Sequence, residues 1–102
     1  MVHLIISQGR ALVYHSRRDE AAFFGWLRSI PGVLKVEGVG RQLGVTLRSK
    51  CLSDATLREL IALHTRYKLP MRSLVQFETS KNTSWFRSRH AHWYRKVFGR
   101  AL

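Results

Sequence analysis

Two amphipathic stretches of helix length, residues 17–30 and 54–67, enclose a segment that reads as a β-hairpin, and this alternation restricts the fold more than any other feature. In the first stretch Phe23, Trp26, Leu27 and Ile30 recur on one helical face, and Phe24 widens it. Ser16 stands where a cap belongs, with Asp19 and Glu20 in the first turn, where acids complement the helix dipole. Pro31-Gly32 closes the stretch. In the second, Ser53 is the cap and Asp54 opens the first turn. Leu57, Leu60, Ile61 and His64 form one stripe, Leu63 and Tyr67 lie beside it, and Lys68-Leu69-Pro70 ends it. Between them "VLKVEGV" (33–39) reads as a strand, Gly40-Arg41-Gln42 as a turn, and "LGVTLRS" (43–49) as the return strand. In that return strand Leu43, Val45 and Leu47 alternate with Gly44, Thr46 and Arg48.

Further strands are expected on both sides. "VHLIIS" (2–7), a Gln8-Gly9 turn and "RALVYHS" (10–16) read as an opening hairpin, and "MRSLVQF" (71–77) as a last strand. The order ββαββαβ predicts an α+β fold: an antiparallel-dominated five-stranded sheet with both helices on one face, a split βαβ or ferredoxin-like arrangement. Phe23, Trp26, Leu27, Leu57, Leu60 and Ile61 should then be buried together. A length of 102 residues suits a single domain, with an α+β core over 1–79 and a basic aromatic helical tail over 80–102 docked on it. In the tail, Thr79 or Ser80 should cap a short helix through Trp85 and Phe86. A break falls near Ser88 and Arg89, and a second helix from Ala91 to Phe98 ends at Gly99.

Charge says most about partners. The chain carries 18 Lys and Arg against 6 Asp and Glu, a net +12, and residues 80–102 supply half of that excess without a single acid. Such a field attracts nucleic acid, acidic protein surfaces or anionic lipid, or simply keeps the surface solvated. The apolar tail residues Trp85, Phe86, Trp93, Val97 and Phe98 recur at spacings that suit an inward face. The rival reading is a platform on which bases stack while arginines follow phosphates. RNA-recognition sheets of similar topology carry aromatics on their central strands, and neither "VLKVEGV" nor "LGVTLRS" has one. Phosphate binding by charge alone stays open.

No reaction is specified. Cys51 lies between a strand and a helix and reads as incidental; as a nucleophile it would need a base, and His64 could reach it only through the fold. His90 and His92 are two residues apart and would diverge on a helix, so no metal site and no cofactor are expected. "GVGRQLG" (38–44) lacks the glycine pattern of a phosphate loop, and no nucleophile, base and orienter can be assembled, so a non-enzymatic protein is expected. No apolar run nears the roughly 20 residues of a membrane span. "MVHLIISQGR" lacks the basic start and cleavage site of a signal peptide. With one cysteine, these features suggest a cytoplasmic protein without membrane association.

The stretch "LHTRYKLPMRSLVQFETSKNTSWFRSRHAHWYRKVFG" (63–99), about a third of the chain, resembles the C-terminal half of small bacterial immunity proteins of contact-dependent growth inhibition systems. Shared with that pattern are a helix ending in a basic–aromatic pair, an "LPMR"-like strand entry and a "WF…W/Y…VFG" tail. The resemblance implies a stoichiometric inhibitor whose partner is a cognate toxin domain. The basic charge departs from immunity proteins directed at basic nucleases, so the toxin surface contacted here should be acidic, or lie away from its nucleic-acid groove. Functional residues do not transfer within such families. Candidate partner-binding residues come instead from the preference of interfaces for arginine: Arg87, Arg89, Arg95 and Lys96 in the tail, then Arg17 and Arg18. The alternative is a nucleic-acid-binding module using the basic aromatic tail. Neither reading specifies an oligomeric state.

Overall fold

The computed structural model describes residues 1–7 and 13–99. Three strands, β1 (Val2–Ser7), β2 (Val33–Val39) and β3 (Gln42–Leu47), form an antiparallel sheet in the order β1-β3-β2. The strand with the cleanest alternation takes the centre. Leu43, Val45 and Leu47 of β3 are buried, and the register sets Leu4 opposite Val45 and Ile6 opposite Leu43, so one sheet face is apolar throughout. The other face carries His3, Thr46 and Lys35 in one row and Ile5, Gly44 and Glu37 in the next. Ile5 is 46% exposed there.

Helices α1 (Arg17–Ser29) and α2 (Asp54–Arg66) start as their sequences dictate. The Ser16 hydroxyl accepts from the Asp19 amide, and the Ser53 hydroxyl from the Thr56 amide, each at 3.1 Å. The two helices run antiparallel, pinned at both ends. The Tyr67 hydroxyl donates to Asp19 Oδ1 at 3.1 Å, and the Trp26 indole donates to Glu59 Oε1 at 2.8 Å. Phe23 and Leu27 of α1 join Leu57, Leu60, Ile61 and Leu63 of α2 and the inner sheet face in one apolar cluster. Trp26, expected inside, is only half-buried, because its indole N–H turns outward to reach Glu59.

The five-stranded ferredoxin-like sheet is not formed. The Gln8-Gly9 turn and residues 10–12 lie outside the described residues. Over 13–16, the rest of the expected second strand, the chain serves the start of α1 instead. The His15 amide donates to Asp19 Oδ2 at 2.9 Å, and Tyr14 lays its ring against Phe23 and Phe24. A backbone donor spent on the helix cap is lost to a ladder.

The expected last strand is a 3-10 helix, Arg72–Phe77. Met71, Leu74 and Phe77 are buried, whereas Val75 is 41% exposed. Residues three apart eclipse in a 3-10 helix, so this spacing gives it one continuous apolar side. A strand over 71–77 would alternate in twos, whereas burial here repeats every third residue. What remains is a small α+β fold with a three-stranded sheet and several helices.

The tail forms two single-turn helices, α3 (Thr83–Phe86) and α4 (Tyr94–Phe98). α4 is shorter than the expected helix from Ala91, and it ends at Gly99, whose φ is 78°. The Arg72 guanidinium lies directly beside Gly99.

Candidate partner-binding surface

The tail is held by three anchors. Asn82 is 1% exposed; its Oδ1 accepts from the Thr79 amide and its Nδ2 donates to the Phe77 carbonyl, both at 2.9 Å. This buried amide, not Thr79 or Ser80, fixes how the chain leaves the 3-10 helix. The Trp93 indole donates to the Phe86 carbonyl at 2.8 Å, closing α4 onto α3. Phe86 and Val97 are fully buried in the main apolar cluster. Trp85 stands against Trp93 edge to face, at 6.1 Å between centroids, with the Arg58 guanidinium 3.9 Å above its ring. The tail aromatics are thus engaged with one another and with the core.

Glu78 is the third anchor. It takes both arms of Arg87 at 2.7 Å and the Thr83 hydroxyl at 2.6 Å. The Arg87 guanidinium first, and then Thr83, hold its carboxyl down at about 2. The same guanidinium lies 4.2 Å from the centre of the Phe98 ring. Arg87 therefore clamps the tail internally, which sequence reasoning missed because the two partners are nine residues apart in different elements.

The remaining candidates are distributed as follows. Arg89, Arg95 and Lys96 stand exposed in the tail, and Arg17 and Arg18 in the first turn of α1. Among the described residues no hydrogen bond or ion pair ties Arg17 or Arg18 to the tail. Lys96 meets two cations that the sequence did not single out. A depression of about 560 Å³ is lined by Thr65, Lys68, Leu69, Pro70, Met71, Arg72 and Lys96.

Lys68 sits there at a conformational cost. Its φ is 55°, the one non-glycine residue with positive φ among those described. The Leu69 amide donates to the His64 carbonyl at 2.9 Å and the Lys68 amide to the Thr65 carbonyl at 3.3 Å, the double bond of a Schellman helix end. Lysine thus occupies the left-handed position where glycine is usual, at a cost of about 1–2 kcal/mol.

Most acids are spent inside the structure. Asp19 serves the His15 amide and the Tyr67 hydroxyl, Glu59 the Trp26 indole, Glu78 the Arg87 clamp, and Glu37 faces Lys35 at 3.3 Å. The positive excess of the sequence is consequently displayed rather than neutralised. Among the described residues, Lys35–Glu37 and Arg87–Glu78 are the only ion pairs, and no three His, Cys, Asp or Glu side chains meet as metal ligands. Cys51 is exposed, whereas the His64 ring is buried in the core, its Nδ1–H donating to the Leu60 carbonyl at 2.7 Å. No described helix is long and apolar enough to cross a membrane.

No protein-family model matches this chain, and neither a curated protein nor a solved structure is detectably similar to it.

Proposed function

We propose that this chain is a binding protein that neutralises a cognate bacterial toxin domain by direct contact, as an immunity protein does. The observation that carries the choice of a protein partner is the state of the tail aromatics. Phe86 is fully buried, the Trp93 indole is bonded to the Phe86 carbonyl, and Arg58 covers Trp85. Bases need open aromatic faces on which to stack, and these rings are already engaged. What the surface offers is a set of exposed cations, which suits an acidic protein face and would speed encounter in a salt-sensitive way. The partner's contacting surface is accordingly acidic. The resemblance of residues 63–99 supplies the biological class, and it is carried by the sequence pattern alone.

A second reading, binding of a nucleic-acid backbone by charge, is favoured by one feature: the displayed excess needs no aromatic to hold phosphates. Affinity capture from the native cytosol separates the two. The expected result is a 1:1 complex with a protein encoded beside this chain, whose toxicity is relieved on co-expression. Recovery of nucleic acid instead, released in proportion to salt and visible in the absorbance ratio at 260 and 280 nm, overturns the toxin reading.

A further inference from the structure

The depression beneath α4 brings together three cations from three separate elements. Lys68 comes from the end of α2, Arg72 from the 3-10 helix and Lys96 from α4. No Asp or Glu lines it. Its wall is apolar as well as cationic: Leu69 and Met71 are part of the core cluster and Pro70 stands at the surface between them.

The Arg72 guanidinium reaches the tail, where it lies beside Gly99. Lys68 keeps a side chain at a left-handed position where glycine would relieve the backbone. Strain retained at one residue points to a use for its side chain. Attraction of the Lys68 ammonium to the negative end of α2 is the competing use.

We propose that this depression is the docking site for an acidic segment of the protein partner, a carboxylate-bearing loop with a neighbouring apolar side chain. The inference rests on the protein-partner reading above. Charge complementarity selects a carboxylate, and the apolar residues select a peptide over a bare phosphate. A volume of about 560 Å³ admits two or three side chains rather than a whole helix. Lys68 and Arg72 thereby become partner-binding residues beside Lys96, whereas Arg87 does not, because Glu78 already occupies it.

The test uses the intact chain, ¹⁵N-labelled and titrated with acetyl-Asp-Leu-Glu-amide, followed by amide shifts. Expected are saturable shifts confined to residues 65–73 and 95–99, absent with acetyl-Asn-Leu-Gln-amide and weakened by salt. Lys68→Gly should keep or raise the melting temperature while weakening the peptide by about tenfold, the loss expected when one charge contact of a docked carboxylate is removed. Lys96→Gln, on the exposed side of α4, should weaken it comparably.

Several results overturn the proposal. One is unchanged peptide binding in both variants. Another is the absence of localised shifts. A third is a thymidine hexanucleotide that moves the same amides at lower concentration than the peptide, which would assign the depression to phosphate. The captured partner separates this inference from the one beneath it. A 1:1 complex whose affinity is indifferent to Lys68→Gly and Lys96→Gln removes the docking site and leaves the toxin reading standing. Failure to find any protein partner removes the toxin reading, while the peptide titration still decides the depression.

Discussion

The stretch from Ser16 to Tyr67 and the stretch from Met71 to Gly99 both feed one apolar core, but they are assembled by opposite means. In the first, neighbours in sequence do the work. Each helix begins with a serine hydroxyl on an amide three residues ahead, and β3 buries every second residue. In the second, the two helices have a single turn each and no side-chain cap on their own amides. An isolated helix of that length has no stability of its own. Their geometry comes from Asn82, Trp93 and the Glu78–Arg87 clamp, each linking groups that sequence spacing does not announce. A region of the second kind exists only while its anchors hold.

The sharpest way to break that contrast is to hollow the tail where it meets the core. Phe86→Ala removes a ring with 0% exposure and should cost about 3–5 kcal/mol. If the tail is integral, near-UV circular dichroism and tryptophan fluorescence will follow one shared transition, displaced to lower denaturant. Two separated transitions, the first confined to Trp85 and Trp93, would show that the tail melts by itself.

The next effect belongs to the regular region and is set by pH. His64 is 1% exposed, and burial pushes its ring down from 6.5 to about 4. The folded state therefore resists a proton that the unfolded chain accepts. Stability is complete above about pH 6.5, falls as pH drops below it, and levels off near pH 4, where the folded ring also protonates. Over that window the loss is about 3 kcal/mol, read by urea titrations at stepped pH. The tail answers lower on the scale. Glu78 contributes stability above about 4.5 that is lost as pH falls toward about 2. His64→Leu should abolish the upper slope and leave the lower one; persistence of the upper slope would assign it elsewhere.

The same division explains what the sequence could show. Helices α1 and α2, strand β3 and the end at Gly99 were legible because caps, alternation and a glycine with positive φ act over a few residues. The last strand was misread although its signal was present, since Met71, Leu74 and Phe77 spell a 3-10 period that a search for alternation passes over. Residues 13–16 were misread for another reason. Their backbone is claimed by Asp19 and their aromatic ring by Phe23, and that competition is decided only in the folded chain. In the depression beneath α4, the charge of Lys96 was legible, but its company with Lys68 and Arg72 is a product of three elements packing.

Asn82 tests a single anchor. Asn82→Ala removes an amide with 1% exposure and leaves the Phe77 carbonyl and the Thr79 amide without their partner, at a cost of about 1–3 kcal/mol. Hydrogen exchange should speed first at residues 79–87 and leave the amides of β3 slow. Uniform acceleration across both regions would mean that Asn82 supports the whole fold and not the tail entry alone.

The smallest effect on stability separates two arginines that look equivalent in sequence, Arg87 and Arg89. Arg87→Glu places a carboxylate against Glu78, which already gathers Thr83 and is held ionised by the residue being removed. Melting should fall, and the fall should diminish below pH 4 as Glu78 takes up a proton and the repulsion fades. Arg89 is exposed and has no such partner among the described residues. Arg89→Glu should leave stability within about 0.5 kcal/mol, as exposed substitutions usually do. Its effect should appear in the association rate with an acidic partner and vanish at high salt, because a rim charge steers encounter more than it holds the complex. Equal losses of stability in the two variants would show that the Glu78 clamp contributes nothing to the tail, and would erase the distinction between anchoring and displayed cations on which the contrast between the two regions depends.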